Sequence, residues 1–278
     1  MNDLSTDPSL SPRESTSGGT TYTVTGESTS ALVFIHGVGM NADVWQPQIE
    51  HFGQNYQVFA YDFFGHGNSP LPAQEPTLDD YVEQLNGLCK ELKLTSFSLI
   101  GHSMGALISV AFALKYPKKV RALVPMNIVY NRRKKDRDNV LARAEKVIET
   151  GEIGMSQPTL RRWFAGKDSA VEQNKITKIQ KWLSEVSPYG YGHAYRLFAL
   201  SDTMFVNKLS RLGMPVLYLT GSDDPNSTPV MSKTMAELTP KGDFFSITQE
   251  AHMMAYIAPE KVNKIIESFL NKHSQNND

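Results

Sequence analysis

Ser103, His252 and the adjacent pair Asp223-Asp224 are the side chains of this 278-residue chain whose types and order suit nucleophilic chemistry at a carbonyl. A serine hydroxyl needs a base to take its proton and a third group to hold that base in one tautomer. The serine stands between two glycines, Gly101-His102-Ser103-Met104-Gly105, after the apolar run 97–100 and before the helix-like stretch 106–114. Such a strand-to-helix corner forces the serine into a tight, strained turn and lifts its hydroxyl clear of the backbone. Gly101 and Gly105 let strand and helix pass where a side chain would collide. The helix starts beneath the serine, so its free N–H groups face the point where negative charge would develop.

His252 and His273 lie far downstream of this corner, as the base should. His273 sits in a polar stretch, Lys272-His273-Ser274-Gln275, and reads as solvated. His252 follows a β-type run ending at Ile247 and precedes the last helical pattern, so a loop can carry its imidazole to the serine. The acid belongs on the turn after the run 216–219, which reads Gly221-Ser222-Asp223-Asp224-Pro225. Two adjacent aspartates cannot point the same way. The spacing from Gly221 and the following proline favour Asp224, with Asp223 retained as the alternative. For the oxyanion, one donor is the N–H of Met104, directly after the nucleophile. The other is the N–H of Val38, in the loop His36-Gly37-Val38-Gly39, with His36 as a packing residue behind it.

Runs of β type alternate with helical patterns from residue 20 onward. Strands are expected at 21–24, 31–35, 56–61, 97–100, 120–124, 215–219 and 243–247. Helices are expected around 45–52, 78–92, 106–114 and 259–272. Buried, non-alternating strands between helices imply an α/β fold with a mostly parallel sheet covered on both faces. The alternation stops over residues 130–210, which read as several short helices opening with the charge run 132–138. Such an insertion sits above the carboxyl ends of the strands and acts as a lid. Domains follow: a disordered tail at 1–19, a core at 20–129 and 211–273, and the helical lid at 130–210.

Composition narrows the function classes. A net charge of −1 supplies no field to recruit nucleic acid or an anionic membrane. No apolar run reaches the roughly 20 residues of a membrane helix, and the first residues hold Asp3, Asp7 and Glu14 with no apolar leader. Cys89 is the only cysteine and reads as a buried small hydrophobe in a reducing compartment. No metal-ligand cluster or cofactor fingerprint is visible. A cytoplasmic, cofactor-free protein is expected, with room for a homodimer.

Together these segments resemble the α/β-hydrolase fold family over residues 20–272. The likeness runs through the His36-Gly37 turn, the segment 62–69 with the pattern D-x-x-G-x-G-x-S, the Ser103 corner, the Asp224 loop and the His252 loop. Ser103 separates the chain from the dehalogenases and epoxide hydrolases, whose nucleophile is an aspartate. Within the family it looks most like small esterases and enol-lactone hydrolases, through residues 221–229, Ala251-His252-Met253-Met254 and the lid end 187–191. That resemblance implies a serine hydrolase taking a small-molecule ester or lactone through an acyl-enzyme. A carbon–carbon bond or thioester hydrolase with the same triad, or a non-catalytic ligand receptor on this fold, are the alternatives. Carbon–carbon hydrolases of the fold usually carry Trp where Met253 follows His252. Ala251 stands where many relatives have glycine. From the lid, Arg161, Arg162, Trp163 and Arg196 are candidates to bind substrate, the arginines through a carboxylate.

Overall fold

In the computed structural model, the described residues are 12–154, 157–164, 166–167 and 169–274, and the side chains of 157, 158, 160, 161 and 274 are outside the description. Eight strands form one sheet in the order β1-β2-β4-β3-β5-β6-β7-β8. They are β1 (Glu14–Ser15), β2 (Thr21–Thr25), β3 (Ala31–Ile35), β4 (Gln57–Tyr61), β5 (Phe97–His102), β6 (Val120–Met126), β7 (Val216–Gly221) and β8 (Gly242–Ile247). The first two pair antiparallel and the other six run parallel. β3 and β5 are buried throughout, as strands covered on both faces must be.

Helices α1 (Gln46–Phe52) and α10 (Pro259–Ser274) cover one face with the short α9 (Met254–Ile257). α2 (Leu78–Glu91) and α3 (Met104–Lys115) cover the other. α2 starts on a capping box, in which Thr77 accepts from the Asp80 N–H and Asp80 accepts from the Thr77 N–H. α3 is apolar around its whole circumference because it lies between the sheet and other helices. α8 (Pro229–Glu237) joins β7 to β8, a helix the sequence reading did not anticipate.

Residues 130–210 hold no strand among the described residues. They form α4 (Lys134–Thr150), α5 (Gln157–Phe164), α6 (Ala170–Glu185) and α7 (Pro188–Leu200). α4 and α6 are 17 and 16 residues long, so these two are not the short helices expected.

The amino-terminal expectation needs a correction. Residues 1–11 lie outside the described residues, but the tail expected over 1–19 is structured from Arg13 onward. β1 pairs with β2, and Arg13 reaches Asp43 at 2.6 Å and the fully buried Asp62 at 3.3 Å. Asp62 heads the D-x-x-G-x-G-x-S segment and ties that loop together. Its carboxylate accepts the N–H groups of Ala42 and Asn68, and its carbonyl accepts from the Ser69 hydroxyl. A serine- and glycine-rich stretch is thus held by Arg13 on Asp43 and Asp62 and by Ser17, which donates its N–H and hydroxyl to Glu91, a signal that composition does not carry.

Candidate active site

Ser103 follows β5 at φ 56° and ψ −113°, a conformation costing a non-glycine residue about 1–3 kcal/mol. The surrounding glycines make it reachable. A Cβ on Gly101 would lie 2.2 Å from the Gly105 carbonyl oxygen, and one on Gly105 would lie 2.2 Å from that of Ile35. Only hydrogen atoms fit at either place, so α3 crosses β3 and β5 at backbone contact. Met104 opens α3, and its N–H therefore has no partner within the helix.

The β8–α9 loop brings His252 over the serine. His252 Nε2 is 3.1 Å from Ser103 Oγ, and His252 Nδ1 is 2.7 Å from Asp224 Oδ2. Of the two aspartates, the structure brings Asp224 to the histidine. Asp223 is exposed and accepts from the Ser222 hydroxyl at 2.7 Å. Asp224 Oδ1 accepts the N–H groups of Asn226 and Ser227, which fixes the carboxylate plane. Burial alone would raise the Asp224 carboxyl. The His252 charge and the hydrogen bonds from His252, Asn127 and Asn226 outweigh it and hold the group below its ordinary value. An ionised carboxylate in this position fixes a proton on Nδ1 and leaves Nε2 free to accept one from Ser103.

Two supporting residues were not singled out from sequence. Asn127, at φ 49° just after β6, donates to Asp224 Oδ2 at 2.9 Å and accepts from Ser227 Oγ at 2.6 Å. His102, inside the serine corner itself, donates from Nε2 to the His252 carbonyl at 2.8 Å. The signal for His102 was its place in the G-x-S-x-G pattern. For Asn127 it was a polar residue closing an apolar strand.

The loop after β3 lies against the serine. A Cβ on Gly37 would sit 3.1 Å from Ser103 Cβ, and Gly39 takes φ +79°. Val38 follows Gly37 and lines the serine cavity, and Met104 follows Ser103 directly in the chain. His36 is fully buried behind them. Its Nδ1–H donates to the Gly37 carbonyl, its Nε2 accepts the Phe63 N–H, and its ring stacks on Phe63 at 4.1 Å.

Burial drives His36 and His102 each down to about 3, and pushes the buried His66 well below its ordinary value. His36 and His102 are neutral in the folded chain above that value, and burial likewise favours the neutral form of His66, whereas in the unfolded chain these rings protonate near 6.5. A depressed value means stability that is whole above 6.5 and lost as pH falls. Each neutral histidine costs about 1.4 kcal/mol per pH unit over that window. His36 and His102 together approach ~3 kcal/mol per unit, with His66 acting in the same direction, against a total of ~5–15 kcal/mol for an ordinary domain. Urea unfolding at pH 7, 6 and 5 should show stability falling by several kcal/mol. A flat profile would mean that these rings are protonated within the fold.

Above Ser103 a cavity of about 460 Å³ separates the core from the helical insertion. Arg162 and Trp163 line it from α5, with Thr159 one turn before them. The Trp163 ring lies 6.1 Å from that of His252, and its carbonyl accepts the Met253 N–H at 3.0 Å. The Arg161 side chain is outside the description. Arg196 does not face the cavity, which corrects its placement. α7 turns Tyr191, Tyr195 and Phe198 inward, and the next position after Tyr195 points about 100° away. There Arg196 pairs with Glu145 at 2.7 Å and with Glu75. Arg143 of α4, not anticipated, lines the cavity between Val140 and Val147 at helical spacing. Among the described residues no cluster of His, Cys, Asp and Glu could hold a metal ion.

A parallel sheet with a serine on the corner after β5 and its partners on the turns after β7 and β8 defines a class of hydrolase folds. The chain belongs to the α/β-hydrolase fold family, whose model matches residues 30–259. It is 39% identical over 239 residues to the (E)-2-((N-methylformamido)methylene)succinate hydrolase of Acinetobacter baylyi, covering 86% of this chain and 89% of that one. It is 27% identical to 3-oxoadipate enol-lactonase 1 of the same organism, over 88% of this chain and 90% of the relative. The crystal structure of the Burkholderia xenovorans enol-lactonase superposes with a TM-score of 0.83 at 22% identity, covering 94% of this chain and all of the other. Hydrolase, esterase and lactonase relatives on one fold make this chain a hydrolase of that family.

Proposed function

We propose that the chain is a cofactor-free serine hydrolase that cleaves a small carboxylic ester or enol-lactone through an acyl-enzyme. The observation that carries this reading is the Ser103–His252–Asp224 relay, with steps of 3.1 and 2.7 Å, at the floor of the cavity. Ser103 Oγ attacks the carbonyl carbon as its proton passes to His252 Nε2. The N–H groups of Val38 and Met104 receive the oxyanion, and Asp224 stabilises the imidazolium without taking its proton. Collapse of the tetrahedral adduct breaks the bond to the leaving oxygen, which takes the proton from His252. Water, deprotonated by His252, then attacks the acyl-enzyme and regenerates Ser103.

The relatives named as enol-lactonases support this substrate class. A second reading is favoured by the relative named for an N-methylformamido substrate. Here the same attack cleaves an amide-like acyl bond, and His252 protonates nitrogen in place of oxygen. The helices of 130–210 act as the lid over the substrate, and Arg162 and Trp163 contact it there. The buried Cys89, and the lack among the described residues of any helix fit to cross a membrane, support a cytoplasmic setting. The test is a fluorophosphonate probe combined with a p-nitrophenyl ester. Stoichiometric labelling of Ser103 with burst release of nitrophenol is expected. Ligand binding in the cavity with neither labelling nor turnover would instead mark a receptor on this fold.

A further inference from the structure

Two guanidinium groups, of Arg143 and Arg162, line the cavity, and among the described residues no acid neutralises either of them. Arg143 donates from Nε to the Tyr195 hydroxyl at 3.2 Å, a contact that orients the guanidinium and leaves its terminal nitrogens unclaimed. Arg162 donates from Nη2 to Thr159 Oγ1 at 2.8 Å. Among the described residues no carboxylate forms an ion pair with either. Other arginines of the insertion are matched with acids, since Arg132 and Arg137 share Asp202 and Arg196 takes Glu145. The same wall also carries Lys146, and among the described residues the only acidic side chain on it is Glu152. Among those residues, three cations against one carboxylate leave an excess of two positive charges facing the cavity. Burial first, and then the Arg143 charge, push the Arg162 guanidinium below its ordinary value. Like charges side by side repel, and an incoming anion would remove that repulsion.

Resting on the acyl-transfer reading of Ser103, we propose that Arg143 and Arg162 form a two-pronged anion subsite that selects substrates whose acyl portion carries two carboxylates. Each arginine stands on a different helix with its own orienting hydroxyl, so each can take one carboxylate in a planar, two-point contact. A dianion balances the excess charge, and a neutral acyl group leaves it uncompensated. Both arginines come from the insertion and Ser103 from the core. Binding the carboxylates therefore draws the two walls together over the scissile bond.

Three p-nitrophenyl esters separate the possibilities: the neutral acetate, the monoanionic succinate and the dianionic tricarballylate. The wild-type chain should rank them by kcat/KM as dianion over monoanion over neutral. Arg143→Met and Arg162→Met should each lower kcat/KM on the dianion roughly 10–100-fold, as for a partly desolvated charge pair. The ratio of kcat/KM on the dianionic ester to that on the acetate should fall at least about tenfold in both variants. Arg143→Lys keeps the charge but not the planar fork, and should lose severalfold on the dianion relative to the acetate. Equal rates of the wild type on all three esters, or parallel losses on all three in the variants, would overturn the subsite. Failure of the wild type to label would instead remove the serine-hydrolase reading, whatever the arginines do.

Discussion

Ser103→Ala is expected to lower ester turnover by about 10⁴–10⁶ while leaving the circular dichroism spectrum unchanged. The hydroxyl makes its contact with His252 and caps no helix, so its loss removes the nucleophile and leaves the corner standing. Alanine meets the positive φ of this position at no greater cost than serine does. His252→Ala should cost about as much, because members of such a relay act as a unit and losing one idles the others. The residue of activity left in both variants would come from the oxyanion N–H groups and from binding. A His252→Ala chain that kept most of its turnover would show that another group serves as the base.

Asp224→Asn should lower turnover by about 10⁴, against less than about threefold for Asp223→Asn. The substitution preserves shape, so the effect is electrostatic. An amide NH₂ facing His252 Nδ1 favours the tautomer with its proton on Nε2, which cannot accept from Ser103. The buried amide would also meet the Asn127 side chain, which now donates to the carboxylate. Asp223 points to solvent and touches no part of the relay. Equal, small losses from the two substitutions would mean that neither aspartate orients His252.

Much of this molecule was legible in the chain. Parallel strands buried on both faces leave continuous apolar runs, and β3 spans the very residues, 31–35, that the pattern marks. The serine corner was readable because only glycines permit its backbone crossings, so steric need writes itself into sequence. What stayed hidden depends on direction. Arg143 and Arg196 both belong to the 130–210 insertion, and only the rotation of their helices decides which one lines the cavity. The edge strand β1 was missed because two residues carry no periodicity and Arg13 meets partners 30 and 49 positions away. Asn127 and Asp224 likewise meet across 97 positions, a pairing set by adjacent strand ends in the sheet.

That separation has a consequence in time. Ser103 and His252, the proposed nucleophile and base, lie 149 residues apart, with the whole helical insertion between them. At a synthesis rate of about 5–20 residues per second, roughly 7–30 s elapse between translation of the two positions. Through that interval a nascent chain can form β3, β4 and β5 and carry the serine, but it lacks His252, the base proposed to deprotonate it. The emerging polypeptide is chemically silent toward the esters around it. On the proposed relay, reactivity requires β7 and β8 to be in place on the edge of the sheet, because the turns after them carry Asp224 and His252.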